Sequence, residues 1–289
     1  MPPAPRAGLL VVGSVALDSL QGGRISDELG GSALYFSLAA SLLAPVSVIA
    51  AVGLDAEERV RQRLGCREEI VSTGLEAVEA PTYRWFAEQA HGRNVDLGSH
   101  DSIYDFWSPR PPAGYRGWAF VGSMRPDRQL EAVRGLAGCG LLSADAMRSY
   151  VEAAPADAMA VLSLCDWYYA NEEELAALGC DDPAECRRRW GLAGLVVKRG
   201  PGGSTVYTEA GEHHEPAMLE PPAVETTGAG DALAGAMLAR WGELDGRPEA
   251  LPEALRWGVA AATVAISDVG QRALLRATRA DLEALVGGP

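Results

Sequence analysis

Residues 224–235 read Val-Glu-Thr-Thr-Gly-Ala-Gly-Asp-Ala-Leu-Ala-Gly, a glycine-rich turn that runs straight into a helical pattern. Consecutive backbone N–H groups at a helix start form an anion site, and the helix dipole reinforces it. Gly228 and Gly230, with Ala229 between them, let the backbone come close to an anion. Asp231 then falls in the first helical turn, with its carboxylate beside the same pocket. A simple helix cap accounts for one aspartate, but not for two flanking glycines preceded by Thr226 and Thr227. Better-known nucleotide loops are absent. There is no Gly-x-x-x-x-Gly-Lys-Ser/Thr, no Gly-x-Gly-x-x-Gly after the first predicted strand and no His-Arg-Asp loop.

Other polar residues sit where such a site could use them. Lys198 is the only lysine, in a chain whose other basic residues are arginines. It ends a predicted buried strand, and open α/β sheets bind ligands at strand ends. A side chain snorkelling at the sheet rim would do as well with arginine, so the lysine favours a compact point charge on phosphate. Asn171 and Glu174 fit a helix cap with solvated acids if taken alone. Asp145, after a predicted strand, is either a polar contact in the cleft or a helix N-cap.

These residues need a scaffold, and the hydrophobic pattern predicts one. Short apolar runs at 9–15, 46–52, 117–121, 140–144, 166–170 and 194–198 read as buried strands, and 203–207 reads as a hairpin partner of the last. Helical patterns cover 32–43, a segment opening at Pro126, 229–241 and 251–267. Asp55 with Glu58 predicts a capping box, and Asp182-Pro183-x-Glu185 another helix start. Alternating strands and helices imply an α/β fold with a mostly parallel sheet covered on both faces. Residues 17–29 and 81–108 break the alternation and read as extra strands forming a lid. Tyr83, Trp85, Tyr104, Phe106 and Trp107 make that lid aromatic-rich, suiting a sugar, cyclitol or nucleoside base.

Composition narrows the function class. The 289 residues carry a formal charge of −14 with no basic block, which argues against nucleic acid and anionic membranes as partners. No apolar run reaches membrane-spanning length, and Met-Pro-Pro-Ala-Pro-Arg at the start has no signal-peptide character, so a cytoplasmic protein is expected. Five cysteines without a Cys-x-x-Cys pair fit a reducing compartment rather than a disulfide framework.

Thr226-Thr227-Gly228-Ala229-Gly230-Asp231 resembles the C-terminal signature of the ribokinase-like (PfkB) carbohydrate kinases. Other segments resemble family elements in the same order: Val11-Val12-Gly13-Ser14 with Asp18, Gly30-Gly31, Val52-Gly53-Leu54-Asp55, Asn171-Glu172-Glu173-Glu174, and Val197-Lys198-Arg199-Gly200-Pro201-Gly202-Gly203. The resemblance implies one ribokinase-like three-layer α/β domain over 1–289 with a small β-strand lid, and an ATP-dependent kinase acting on a small polyhydroxylated acceptor. By the same resemblance Asp231 is the base, and the amides of Ala229, Gly230 and Asp231 hold the transferring phosphoryl group. Lys198, Gly200, Gly203 and Thr227 lie on the ATP side. Asn171 and Glu174 organise Mg²⁺ mostly through water. Asp18, Gly30, Gly31, Tyr35 and Asp145 lie on the acceptor side.

Departures from the family pattern bear on specificity. Tyr35 stands where asparagine is frequent, which speaks against ribose itself. Glu225 stands for the usual aspartate at a position that contributes to a monovalent-cation site in some members, so activation by such a cation is left open. The exposed edges of the lid permit a homodimer. The alternative is a non-catalytic ribokinase-fold protein that binds a ligand or joins an assembly, against which the retained Asp231 and both glycines speak.

Overall fold

Apolar runs without polar alternation belong to strands covered on both faces, and the chain folds accordingly. A computed structural model describes residues 8–90 and 93–288, and the N-terminal stretch read above lies outside them. The strands are β1 (Leu9–Val12), β2 (Ala16–Leu20), β3 (Ile25–Gly30), β4 (Val46–Gly53), β5 (Ile70–Val78), β6 (Tyr83–Ala90), β7 (Arg93–His100), β8 (Trp118–Val121), β9 (Leu141–Asp145), β10 (Trp167–Asn171), β11 (Gly194–Lys198), β12 (Ser204–Thr208) and β13 (Gly211–Glu215). The helices are α1 (Ser32–Ala40), α2 (Glu57–Leu64), α3 (Pro126–Gly135), α4 (Arg148–Ala153), α5 (Pro155–Leu164), α6 (Glu172–Ala177), α7 (Pro183–Arg189), α8 (Ala229–Glu243), α9 (Leu251–Ile266), α10 (Arg272–Arg276) and α11 (Arg279–Val286). No helix among the described residues is long and apolar enough to cross a membrane.

Nine strands form the main sheet in the order β13-β12-β11-β10-β9-β8-β1-β4-β5. The run from β11 to β5 is parallel throughout, and β12 and β13 extend one edge antiparallel. Period-two alternation sends neighbouring side chains to opposite layers. Leu9 and Val11 pack with Leu34, Leu38, Met237 and Leu255 of α1, α8 and α9. Leu10 and Val12 pack with Leu130, Val133, Leu162 and Leu175 of α3, α5 and α6. The result is the three-layer α/β fold expected from the sequence.

A second sheet, ordered β3-β2-β6-β7, is built from parts of 17–29 and 81–108. β2 pairs antiparallel with β3 and parallel with β6, and β6 and β7 form a hairpin. The aromatic platform expected there is largely absorbed into packing. Tyr83, Tyr104 and Trp107 are buried, with ring centroids 6.0 and 6.2 Å apart, and Trp85 donates its indole N–H to Asp96. Among the five, only Phe106 is well exposed, at 66%.

Three further expectations are corrected. Asp55 caps no helix: α2 begins at Glu57 without a side-chain cap, while Asp55 Oδ1 accepts from Thr82 N at 3.0 Å and from Thr82 Oγ1 at 2.5 Å, pinning the base of the second sheet. Strand β1 stops at Val12, because the chain leaves the sheet at Gly13 and is clamped to α1 by reciprocal bonds, Ser14 N to Ser32 Oγ (3.0 Å) and Ser32 N to Ser14 Oγ (3.1 Å). Cys180 and Cys186 form a disulfide, since the start of α7 brings their Cα atoms to 5.4 Å, within bridging range. Cys66, Cys139 and Cys165 are free thiols.

Candidate active site

Three adjacent parallel strands end in polar residues: β9 in Asp145, β10 in Asn171 and β11 in Lys198. These are the carboxyl ends of the strands, where an open α/β sheet gathers ligand-binding groups. Helix α8 starts against them. Its N-cap residue is Gly228, at φ +77°, and no side chain caps its first turn. That left-handed conformation strains any residue with a Cβ, and here a Cβ would also strike the Tyr35 ring from α1. The Ala229 amide makes only a long bond, 3.5 Å, to the Thr226 carbonyl, so this helix start, without a side-chain cap, keeps donors that an anion could use.

Lys198 Nζ contacts both carboxylate oxygens of Asp145, at 2.6 and 2.9 Å, and lies 3.9 Å from Glu174 Oε2. The same Nζ is 3.0 Å from where a Cβ on Gly230 would stand, so the ammonium sits directly over the start of α8. Burial works against the charge of Lys198, but the Asp145 and Glu174 carboxylates outweigh it and hold the ammonium protonated beyond its ordinary range. Asp145 is fixed in turn by the amide of Ala146 (2.7 Å), and Gln129 Nε2 donates to the Asp145 carbonyl (2.8 Å). The position left open between cleft contact and N-cap is thus occupied by an ion-pair partner of Lys198.

Asp231 lies within this charge cluster. Burial, then the neighbouring Asp145 and Glu174 carboxylates, push its pKa up to about 8 against the opposing pull of Lys198. Glu174 is pushed up to about 7, mainly by burial, with Lys198 again opposing. Asn171 and Glu174 form a reciprocal capping box: Asn171 Oδ1 accepts from Glu174 N (2.8 Å), and Glu174 Oε2 accepts from Asn171 N (2.7 Å). The cap commits Asn171 Oδ1 and leaves Glu174 Oε1 outside it. That donor set fits a hydrated cation held through water better than one ligated directly by both residues.

On the other side of Asp231, Asp18 of β2 is buried against the end of β3, where a Cβ on Gly30 would run into its carboxylate. Its pKa is raised, first by burial and then by Glu225, Glu28 and Asp231. Gly31 is the N-cap of α1, and Tyr35 one turn on is 1% exposed. Gly200 opens the tight turn between β11 and β12, which Gly203 closes. Two buried polar atoms in this region have no hydrogen-bond partner, the Tyr35 hydroxyl and Glu225 Oε2.

Two contacts at the turn before α8 go beyond the sequence reading, one local and one remote. Glu225 Oε1 accepts from Thr227 N (3.0 Å) and Thr227 Oγ1 (2.7 Å), fixing the turn before Gly228. Asn94, on β7 of the second sheet, donates through Nδ2 to Glu225 Oε1 (2.9 Å) and Thr227 Oγ1 (2.7 Å). The partners are more than 130 residues apart in sequence, so only the fold brings them together.

Residues 128–278, just over half of the chain, match the family model described as pfkB family carbohydrate kinase. Over 80 residues, 28% of this chain, it is 36% identical to an ATP-dependent ribose-1-phosphate kinase of Halopiger xanaduensis, covering 27% of that protein. Over 73 residues, 25% of this chain, it is 37% identical to a 5-dehydro-2-deoxygluconokinase of Geobacillus thermodenitrificans, covering 20% of it. The matched stretches therefore span less than a third of either curated relative. The fold is similar to that of a fructokinase from Vibrio cholerae O395 in its fructose-, ADP- and potassium-bound form, with a TM-score of 0.81 at 18% identity over 98% of this chain and 99% of that one.

Proposed function

This chain belongs to the pfkB family of carbohydrate kinases, and from that premise we propose that it transfers the γ-phosphoryl group of ATP to a hydroxyl of a small polyhydroxylated acceptor, a sugar, cyclitol or nucleoside. The observation that carries the reading is Asp231, half-buried in the first turn of a helix without a side-chain cap and beside the Lys198 ammonium.

Phosphoryl transfer asks for alignment, charge neutralisation and a proton acceptor. Asp231 takes the proton of the acceptor hydroxyl while that oxygen bonds to the γ-phosphorus. The bond to the β-phosphate oxygen breaks, and ADP leaves with its electron pair. The N–H groups of Ala229, Gly230 and Asp231 hold the transferring group, whose charge they meet without reorganising. Lys198 adds a point charge over the Gly230 peptide, aimed by its two bonds to Asp145. Gly200, Gly203 and Thr227 line the nucleotide side. Glu174 with Asn171 would hold the water shell of a magnesium ion bound with the nucleotide, and that ion would supply neutralisation of phosphate charge. Glu225 Oε2, buried without a partner, is the oxygen a monovalent cation would use.

Asp18 and the Gly30–Gly31 backbone bind acceptor hydroxyls, and Tyr35 forms the floor beneath the Gly228 turn. The names of the two partly matching relatives, kinases of sugar-derived compounds, support that acceptor class. The test is ADP formation with Mg²⁺-ATP and a panel of sugars, inositols and nucleosides. At least one acceptor should turn over, and Asp231→Asn should lose on the order of 10²–10⁴-fold in rate. Undiminished turnover in Asp231→Asn would remove the base assignment.

A further inference from the structure

The chain has two asparagines, Asn94 and Asn171. Asn171 caps α6 at the strand ends, whereas Asn94 lies on the second sheet, within the stretch read as a lid. It is the second residue of β7, at the far end of the β6–β7 hairpin, where it pairs with Gln89. From there its amide reaches Glu225 and Thr227 in the turn that leads into α8.

The donors at this junction converge on one carboxylate oxygen, Glu225 Oε1, while Oε2 takes none from the described residues. The two protons of Asn94 Nδ2 go to Glu225 Oε1 and Thr227 Oγ1. Thr227 Oγ1 passes its own proton to Glu225 Oε1, which also takes the Thr227 amide. Glu225 is 1% exposed, and its backbone N–H and that of Val224 both donate to the Ile266 carbonyl at the end of α9. One end of the turn is thus anchored in the main body, and its side chains are latched to the hairpin. Breaking the latch would leave a buried carboxylate oxygen and a threonine hydroxyl short of a donor, so turn and hairpin hold each other in place.

We propose that Asn94 is a positioning residue. It ties the seating of the β6–β7 hairpin to the geometry of the Glu225–Gly228 turn, and through it to the first-turn amides and Asp231. The hairpin is then not only a cover over the acceptor but a part of the device that sets the phosphoryl site. This inference rests on the phosphotransferase reading for its kinetic consequence, while its structural consequence is independent of turnover.

Two measurements test it. In the ligand-free protein, amide hydrogen exchange should rise about tenfold or more at both β7 and residues 226–231 in Asn94→Ala, with β1, β8 and β10 unchanged. Exchange that rises in β7 alone, or in neither segment, overturns the proposal whatever the acceptor proves to be. In turnover, Asn94→Ala should lower kcat by about 10- to 100-fold, with KM for ATP within about twofold, because the loss is one of alignment rather than of nucleotide contact. Asn94→Asp should be worse, since it sets two carboxylates against each other. Adding Glu225→Gln to it should recover activity several-fold by restoring an amide–carboxylate pair with its polarity reversed. Unchanged kcat in Asn94→Ala, or no recovery in the double variant, counts against the latch. If wild type turns over no hydroxyl acceptor while exchange still responds at 226–231, the kinase reading fails and the coupling stands.

Discussion

Burial makes Asp231 a stronger base and also keeps it protonated to higher pH. With its pKa pushed up to about 8, the ligand-free enzyme ionises it only in mildly alkaline solution. The ratio kcat/KM, which reports groups of the free enzyme, should therefore rise with pH through about 8. A pH–rate profile flat from 6 to 9 would show that another group limits the reaction. The same shift has a stability consequence of definite sign. A carboxyl whose folded pKa lies above its unfolded value contributes stability that is present at low pH and lost as pH rises through the folded value. Asp231→Asn should then melt higher than wild type at pH 9, remain higher by a smaller margin at pH 6, and converge with it only near pH 4, where the carboxyl is protonated in the unfolded chain as well, as thermal melts from pH 4 to 9 would record. Lys198 works in the opposite sense. Among the described residues it is the only base bonded to the buried Asp145, so Lys198→Ala should raise KM for ATP and also cost about 3 kcal/mol of stability, because it strands a buried carboxylate. Denaturant unfolding of Lys198→Ala and of Lys198→Ala/Asp145→Asn checks this, and the double variant should recover most of the stability but not the KM.

At the scale of elements, the junction of α1 with α8 would set how closely a phosphate could approach the proposed site. Gly228 combines φ +77° with contact against the Tyr35 ring, so Gly228→Ala meets both backbone strain and a steric clash. It should lose about 1–3 kcal/mol of stability and most of its activity. Replacing Tyr35 by alanine in the same chain should relieve the clash but not the strain, and the cavity left by this buried ring should keep Tm from recovering, while the combined loss should be smaller than the sum of the two single losses. The glycine turn into α8 was legible in the sequence because glycines and helix starts act over a few residues, and so was the strand end at Lys198, whereas the contact of Tyr35 with Gly228 was not. The buried parallel strands were legible too, since burial on both faces removes polar residues from them. Other features depend on distant partners. Asp55 looked like a cap because Glu58 follows it at the right spacing, but Thr82, 27 residues on, supplies a better donor pair. Tyr104 and Trp107 looked like a sugar platform because aromatics in a polar stretch are ambiguous, and only the packing of that segment onto the main core resolves them. Asn94 carried no signal, since an asparagine beside a hairpin end is ordinary turn chemistry until Glu225 is brought against it.

At the scale of the whole molecule, the formal charge of −14 sets the approach of nucleotide against its binding. ATP is a polyanion, so the long-range field of the protein opposes encounter. The groups that would hold it, the α8 amides and Lys198, act within a few ångströms. Long-range and contact electrostatics respond differently to salt. The screening length shrinks from about 30 Å at 0.01 M to about 8 Å at 0.15 M, which removes the distant repulsion and leaves buried contacts nearly untouched. Raising ionic strength over that range with a weakly binding salt should therefore speed ATP association, by about two- to fivefold, while the dissociation rate changes little. Stopped-flow binding of a fluorescent ATP analogue at fixed Mg²⁺ measures both rates. A protein that guides nucleotide in through an open basic patch behaves in the opposite way, with association slowing as salt is added. An association rate that falls over this range would mean that unpaired cations act on the nucleotide before contact, and the division of labour between backbone amides and one lysine would have to be abandoned.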